Sequence, residues 1–209
     1  MSSGSPLALG FRAGRGGALA VGVAVEGGTP RVVLSSFLAT AERGDRLAAE
    51  PYHVAAEMAR GAEGEVSADA VAAVAEGRRR QDALAAQGLD EIVQRLQGEG
   101  CRPVAAALLV NRAGWITDLL QYSLFDHAHP PVAEGLAVRD ALRFAFARSG
   151  LDVIEMDEKS LPEAAAIKLG LSPGEIDSRL GALGATVGRP WRKEHKLACL
   201  AAWVAAAAR

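Results

Sequence analysis

Three apolar runs open the chain, with turn chemistry between them: Leu7–Phe11, Ala18–Val25 and Arg31–Thr40. The joints are Gly14-Arg15-Gly16-Gly17 and Gly27-Gly28-Thr29-Pro30, the residue types that tight turns favour. The pattern predicts an antiparallel three-strand meander. An acid/base loop follows, and Pro51, suited to a first helical turn, predicts a helix over Tyr52–Arg60 that ends in the Gly61–Glu65 break. Ser67 caps a longer helix from Ala68, on which Val71, Val74, Leu84, Leu89, Ile92, Val93 and Leu96 recur at near-helical spacing. After a break over Gly98–Pro103, Val104–Val110 is continuously apolar, the pattern of a strand covered on both faces of a parallel or mixed sheet.

The second half is mostly helical. A short apolar segment, Trp115–Leu124, leads into Asp126-His127-Ala128-His129-Pro130-Pro131, the densest polar constellation in the chain. A helix is predicted over Pro131–Ser149, stopped by Gly150, then a short strand over Leu151–Met156. Helices over Pro162–Leu169 and Glu175–Leu183 each begin after a serine, Ser160 and Ser172, with an acid three positions on, which predicts capping boxes. Gly188-Arg189-Pro190 introduces a last helix, Trp191–Ala208, with Leu197, Leu200, Ala201, Val204 and Ala208 on one face. Three strands, helix, strand, helix, strand and helices together predict an α/β fold, a mixed sheet with flanking helices. Residues 1–209 read as one domain, with 1–5 a disordered tail and 41–66 a connecting segment.

Composition narrows this further. Half the residues are hydrophobic but only 5% are aromatic, so alanine, leucine and valine fill the core. The net charge of −2 argues against a broad basic surface for duplex nucleic acid and leaves room for a local patch. Cys101 and Cys199 show neither metal spacing nor a secretory framework and read as small buried residues. Met1–Ser5 has no basic region or long apolar stretch of a signal peptide, and Leu197–Ala208 is too short to span a bilayer. A soluble cytoplasmic protein with no membrane partner is expected.

Two clusters carry candidate chemistry. His127 and His129 precede a helix start, and in an extended segment alternate residues point the same way. With Asp126 they form a candidate site for a single divalent metal. Glu134 and Arg139 lie five apart on the following helix and face different ways; Arg139 is a candidate to meet an acid from another element, or an anion. His53 and Glu57, at i and i+4, offer a base with an orienting carboxylate or two metal ligands. If His53, Glu57, His127 and Glu134 meet in space, they make a catalytic centre. The bland alternatives are a surface pair and a hydrogen-bonded core histidine. Arg78-Arg79-Arg80 reads as a solvated helix face rather than a phosphate patch. Arg189, Arg192, Lys193 and Lys196 read as a solvated first turn, with Trp191 as its anchor. Trp115, Trp203 and the phenylalanines read as core.

The order of elements resembles the ribonuclease H-like fold. The opening Leu9-Gly10-Phe11-Arg12-Ala13-Gly14 resembles the first strand and turn of its RuvC-like resolvase branch, where the pattern is roughly Gly-apolar-Asp-Pro-Gly. Lys196-Leu197-Ala198-Cys199-Leu200-Ala201-Ala202 resembles that branch's alanine-rich last helix. The resemblance implies carboxylates that hold two divalent metals against a phosphodiester. Here the first-strand acid is replaced by Arg12, and Lys196 and Cys199 stand where the last helix would carry acids, with His195 a candidate to stand in for one ligand. A cation in that place repels a metal ion. The Asp126-His127, Ala133-Glu134-Gly135, Arg139 run is also similar to small bacterial proteins in which a histidine precedes Ala-Glu-Gly at a helix start; that similarity implies no activity.

Three readings follow. The first is a divergent ribonuclease H-like domain without two-metal catalysis that binds nucleic acid or a protein, with Arg12 and Arg139 as candidate ligand contacts. The second is a hydrolase or metal-dependent enzyme with a relocated site at His53, Glu57, His127 and Glu134. The third is a homo-oligomeric scaffold joined through the alanine-rich last helix.

Overall fold

The computed structural model describes residues 4–58, 66–111 and 115–208. Five strands form one sheet: β1 (Ser5–Gly14), β2 (Gly17–Glu26), β3 (Thr29–Ala39), β4 (Cys101–Val110) and β5 (Val153–Asp157). Their order is β3-β2-β1-β4-β5. The pairs β1–β2 and β2–β3 are antiparallel, and β1–β4 and β4–β5 are parallel. The predicted meander is therefore present, and Gly16 adopts the left-handed φ of 69° that its hairpin turn requires. Ser5, expected in a disordered tail, is the first residue of β1 and pairs with Cys101.

The helices are α1 (Arg46–Ala49), α2 (Pro51–Met58), α3 (Ala68–Gly98), α4 (Leu119–Phe125), α5 (Pro130–Ser149), α6 (Leu161–Leu169), α7 (Pro173–Val187) and α8 (Lys193–Ala206). The expected end of the second helix at Arg60, and the Gly61–Glu65 break, lie outside the described residues. Strand alternation sorts the central residues onto two faces. Leu7, Leu9 and Phe11 pack with Leu89 and Leu96 of α3 and with Val138, Leu142 and Phe146 of α5. The Phe11 and Phe146 rings meet edge-on at 5.0 Å. Ala8 and Gly10 face the other way, toward α8. A Cβ on Gly10 would lie 2.0 Å from the Ala198 carbonyl oxygen, so α8 rests directly on bare backbone. Ala198, Ala201, Ala202 and Ala205 are wholly buried there. The small-residue face that the sequence offered for oligomerisation is thus covered by the chain's own sheet.

Local signals held in part. Ser172 and Glu175 form the predicted capping box. Ser160 does not cap α6, because its hydroxyl and amide are bonded to Asp157. Trp203, Phe11 and Phe146 are buried as expected, but Trp115, Phe37, Phe125 and Phe144, also expected in the core, are exposed. Trp191 anchors as expected, donating its ring N–H to the Leu180 carbonyl and filling the space over Gly184. No described helix is long and apolar enough to cross a membrane.

Candidate functional site at the carboxyl ends of the strands

The polar groups gather where β1, β4 and β5 end. In open α/β sheets this edge is where ligands bind. Arg12, near the end of β1, reaches Glu158 just past β5: Nε donates to Oε2 at 3.1 Å and Nη2 to Oε1 at 3.0 Å. Glu158 is held in register by its own amide, which donates to the Val110 carbonyl at the end of β4. The first-strand cation therefore has a planar, two-point carboxylate partner. Sequence reading missed Glu158 because the last strand was expected to end at Met156, and no local pattern links positions so far apart.

Beside this pair lies a cavity of about 540 Å³ between α3, α4 and α5. One wall is a chain of ion pairs: Arg78 to Asp140 at 2.8 Å, Asp140 to Arg143 at 2.8 Å, and Arg143 to Glu155 at 2.6 Å. Arg78 also donates to the Tyr52 hydroxyl. This corrects the expectation of a uniformly solvated arginine face: Arg79 is exposed and pairs with Glu76, whereas Arg78 turns inward. Arg139 lines the same cavity and donates to Asn111 Oδ1 at the end of β4. Among the described residues it makes no ion pair, and its buried Nε has no partner. Burial lowers its pKa, the expected response of a cation without a close counter-charge.

The second gathering point is the start of α2. Glu134, on α5, is 6% exposed, and its Oε1 accepts from the backbone amides of Tyr52 and His53 at 2.7 and 3.1 Å. It thus satisfies two of the amides that a helix start leaves unpaired. His53 Nδ1 lies 3.4 Å from the same oxygen, without hydrogen-bond geometry. Glu134 Oε2 is buried and has no partner. Burial pushes the Glu134 pKa up to about 7, against the pull of the two amides. The His53 pKa is lowered, first by burial and then by Arg15 and Arg46.

Of the four residues expected to converge, the structure brings together two, His53 and Glu134. Glu57 turns instead to Arg46, whose guanidinium holds both its oxygens and lowers its pKa. The i, i+4 spacing was outcompeted by a fork-shaped donor on the neighbouring helix. His127 and His129 do not point the same way, because 126–129 is a turn rather than an extended segment. Asp126 Oδ1 accepts from the Ala128 amide, and the His129 amide bonds back to the Asp126 carbonyl. The His129 ring stacks on Tyr122, centroids 4.0 Å apart, and one of its nitrogens bonds the Tyr122 carbonyl. The His127 ring stands in solvent beside Asp126. Among the described residues, no group of three or more His, Cys, Asp or Glu is placed to hold a metal ion. His195 is buried at the start of α8, where its Nδ1 accepts from the Arg192 amide. Lys196 pairs with Asp177, and burial pushes the Cys199 thiol up to about 12, as an inert core cysteine requires.

No protein-family model matches the sequence, and no curated protein matches it. Solved structures do. RuvC of Thermus thermophilus aligns with a TM-score of 0.53 at 15% identity, over 96% of this chain and 93% of that one. The T. thermophilus RuvC in complex with a Holliday junction substrate aligns with a TM-score of 0.52 at 12% identity, over 95% and 91%. At such identities the likeness speaks for the fold alone. The chain has a divergent ribonuclease H-like fold of the RuvC-like kind, its antiparallel β3-β2-β1 half joined to a parallel β1-β4-β5 half.

Proposed function

We propose that the protein is a RuvC-like domain without two-metal nuclease chemistry, which binds nucleic acid through phosphates at the carboxyl edge of its sheet. The observation that carries this reading is the Arg12–Glu158 pair. Where the fold's nucleases hold a metal with an acid, this chain has a cation whose charge is already matched. The residues present do not fit a two-metal centre: among the described residues no three His, Cys, Asp or Glu side chains gather to hold a metal ion, the candidate donors of α8 are engaged elsewhere, and Arg12 stands in place of the first-strand acid with Glu158 committed to it. Arg139 supplies the phosphate contact, because its guanidinium faces a cavity with donors to spare. One of the similar structures is a complex with a Holliday junction.

The test is fluorescence anisotropy with labelled four-way and duplex DNA over a range of salt. Binding should weaken with salt in proportion to a small number of phosphates. Arg139→Ala should weaken it roughly tenfold, the scale of one charge-assisted hydrogen bond. Absence of binding at low salt, or an Arg139→Ala protein that binds like wild type, contradicts the reading.

A hydrolase with a relocated site is the second reading, favoured by the approach of His53 and Glu134. It keeps those two residues and leaves out Glu57 and His127, which other contacts engage. An esterase or phosphatase activity lost in Glu134→Gln would support it.

A further inference from the structure

The cavity next to Glu134 is a separate matter from the nucleic-acid edge. It has a volume of about 280 Å³ and is lined by Gly14, Arg15, Glu50, His53, Pro131 and Gly135 together with Glu134 itself. Two of these are glycines that local structure does not require. Neither Gly14 nor Gly135 has a positive φ. A Cβ on either would meet nothing within 4 Å. Gly135 lies inside α5, where glycine weakens a helix relative to alanine. Both positions have room for a side chain, and both line the same cavity as the buried Glu134.

The charges at this cavity do not balance. Arg15 pairs with Glu50, and Arg46 with Glu57. His53 is held toward its neutral form. Ionised Glu134 is then one negative charge in excess. Its Oε1 is engaged by two amides, while Oε2 and the neighbouring His53 Nδ1 are buried without partners. Leaving such groups unmatched is costly, and a ligand that donates to both removes the cost. An ammonium group carries three donors and one positive charge.

We propose that this cavity is a binding site for the ammonium group of a small primary alkylamine, its N–H donors directed to Glu134 Oε2 and His53 Nδ1. The alkyl chain lies against Pro131 and the two glycines, which keep the cavity open. Occupancy ties α5, the β1–β2 turn and the start of α2 together, so the ligand stabilises the folded protein.

The test uses the full chain with n-propylammonium chloride as probe, against sodium propionate, 1-propanol and sodium chloride at matched ionic strength. Thermal unfolding and the His53 ring resonances are followed. The amine should raise Tm in a saturable way and shift the His53 signals, while the controls do neither. Glu134→Gln retains an oxygen for the two amides and should weaken the amine effect at least tenfold. Gly135→Leu adds a bulky side chain to the cavity lining, keeps the carboxyl in the chain, and should abolish the response. A wild-type protein that shows no saturable response, or a Gly135→Leu protein that responds like wild type, overturns the proposal.

Discussion

Glu134 places two opposed demands on one carboxyl. The amides of Tyr52 and His53 that donate to its Oε1 favour the carboxylate, while its burial favours the neutral acid. The balance raises the pKa from the ordinary 4.5 to about 7, so the folded protein binds this proton more tightly than the unfolded chain does. The resulting stability is fully present below pH 4.5 and is lost as the pH rises through about 7. Its size is on the order of 3 kcal/mol. Glu134→Gln should flatten that slope and leave the protein more stable than wild type at pH 8 in urea unfolding. An unchanged slope would show that the proton resides elsewhere. The pair Arg12–Glu158 makes a smaller contribution, since each side chain is about a quarter exposed. A double-mutant cycle with Arg12→Ala and Glu158→Ala should give a coupling of about 1 kcal/mol. At this scale the side-chain partners were the part that local sequence did not reveal. Arg12, Arg139, His53 and Glu134 all reach the strand-end edge or its neighbouring cavity. Their partners Glu158, Asn111 and the α2 amides come from elements that local spacing does not connect.

Strands and helices were more legible than side-chain partners, because their signals are local. The glycine joints of the meander, the apolar run of β4, the Gly150 stop and the Ser172 box all describe neighbouring residues. The failures occurred where a nearby competitor intervened. Asp157 took the hydroxyl of Ser160, and Arg46 took Glu57. The turn at 126–129 removed the alternation on which a His127/His129 metal pair depended. At Gly10, α8 leaves no room for a Cβ on β1. Gly10→Ala must move α8 or the strand, and it should destabilise the protein by about 2–3 kcal/mol, the cost of overpacking against backbone. Ala202→Gly, on the same interface, makes room instead and should cost less. A Gly10→Ala protein as stable as wild type would mean that α8 does not rest on β1.

The whole molecule has a RuvC-like fold, and its strand-end edge carries several paired charges. On the α8 side, Arg12 is matched by Glu158; on the α5 side, Arg139 faces open space beside a balanced chain of ion pairs. A net charge of −2 and this local arrangement are compatible, because only the few groups at the edge need to be cationic. The fold was legible from the order of elements alone. The chemistry at its edge needed three dimensions, since Arg12 and Glu158 are 146 positions apart. The most direct measurement is cleavage of a labelled four-way junction by the wild-type protein with Mg²⁺ or Mn²⁺, with binding followed in the same samples. We expect a bound junction that stays intact at every metal concentration. Metal-dependent strand scission that copurifies with the protein and disappears in Glu158→Gln would contradict it.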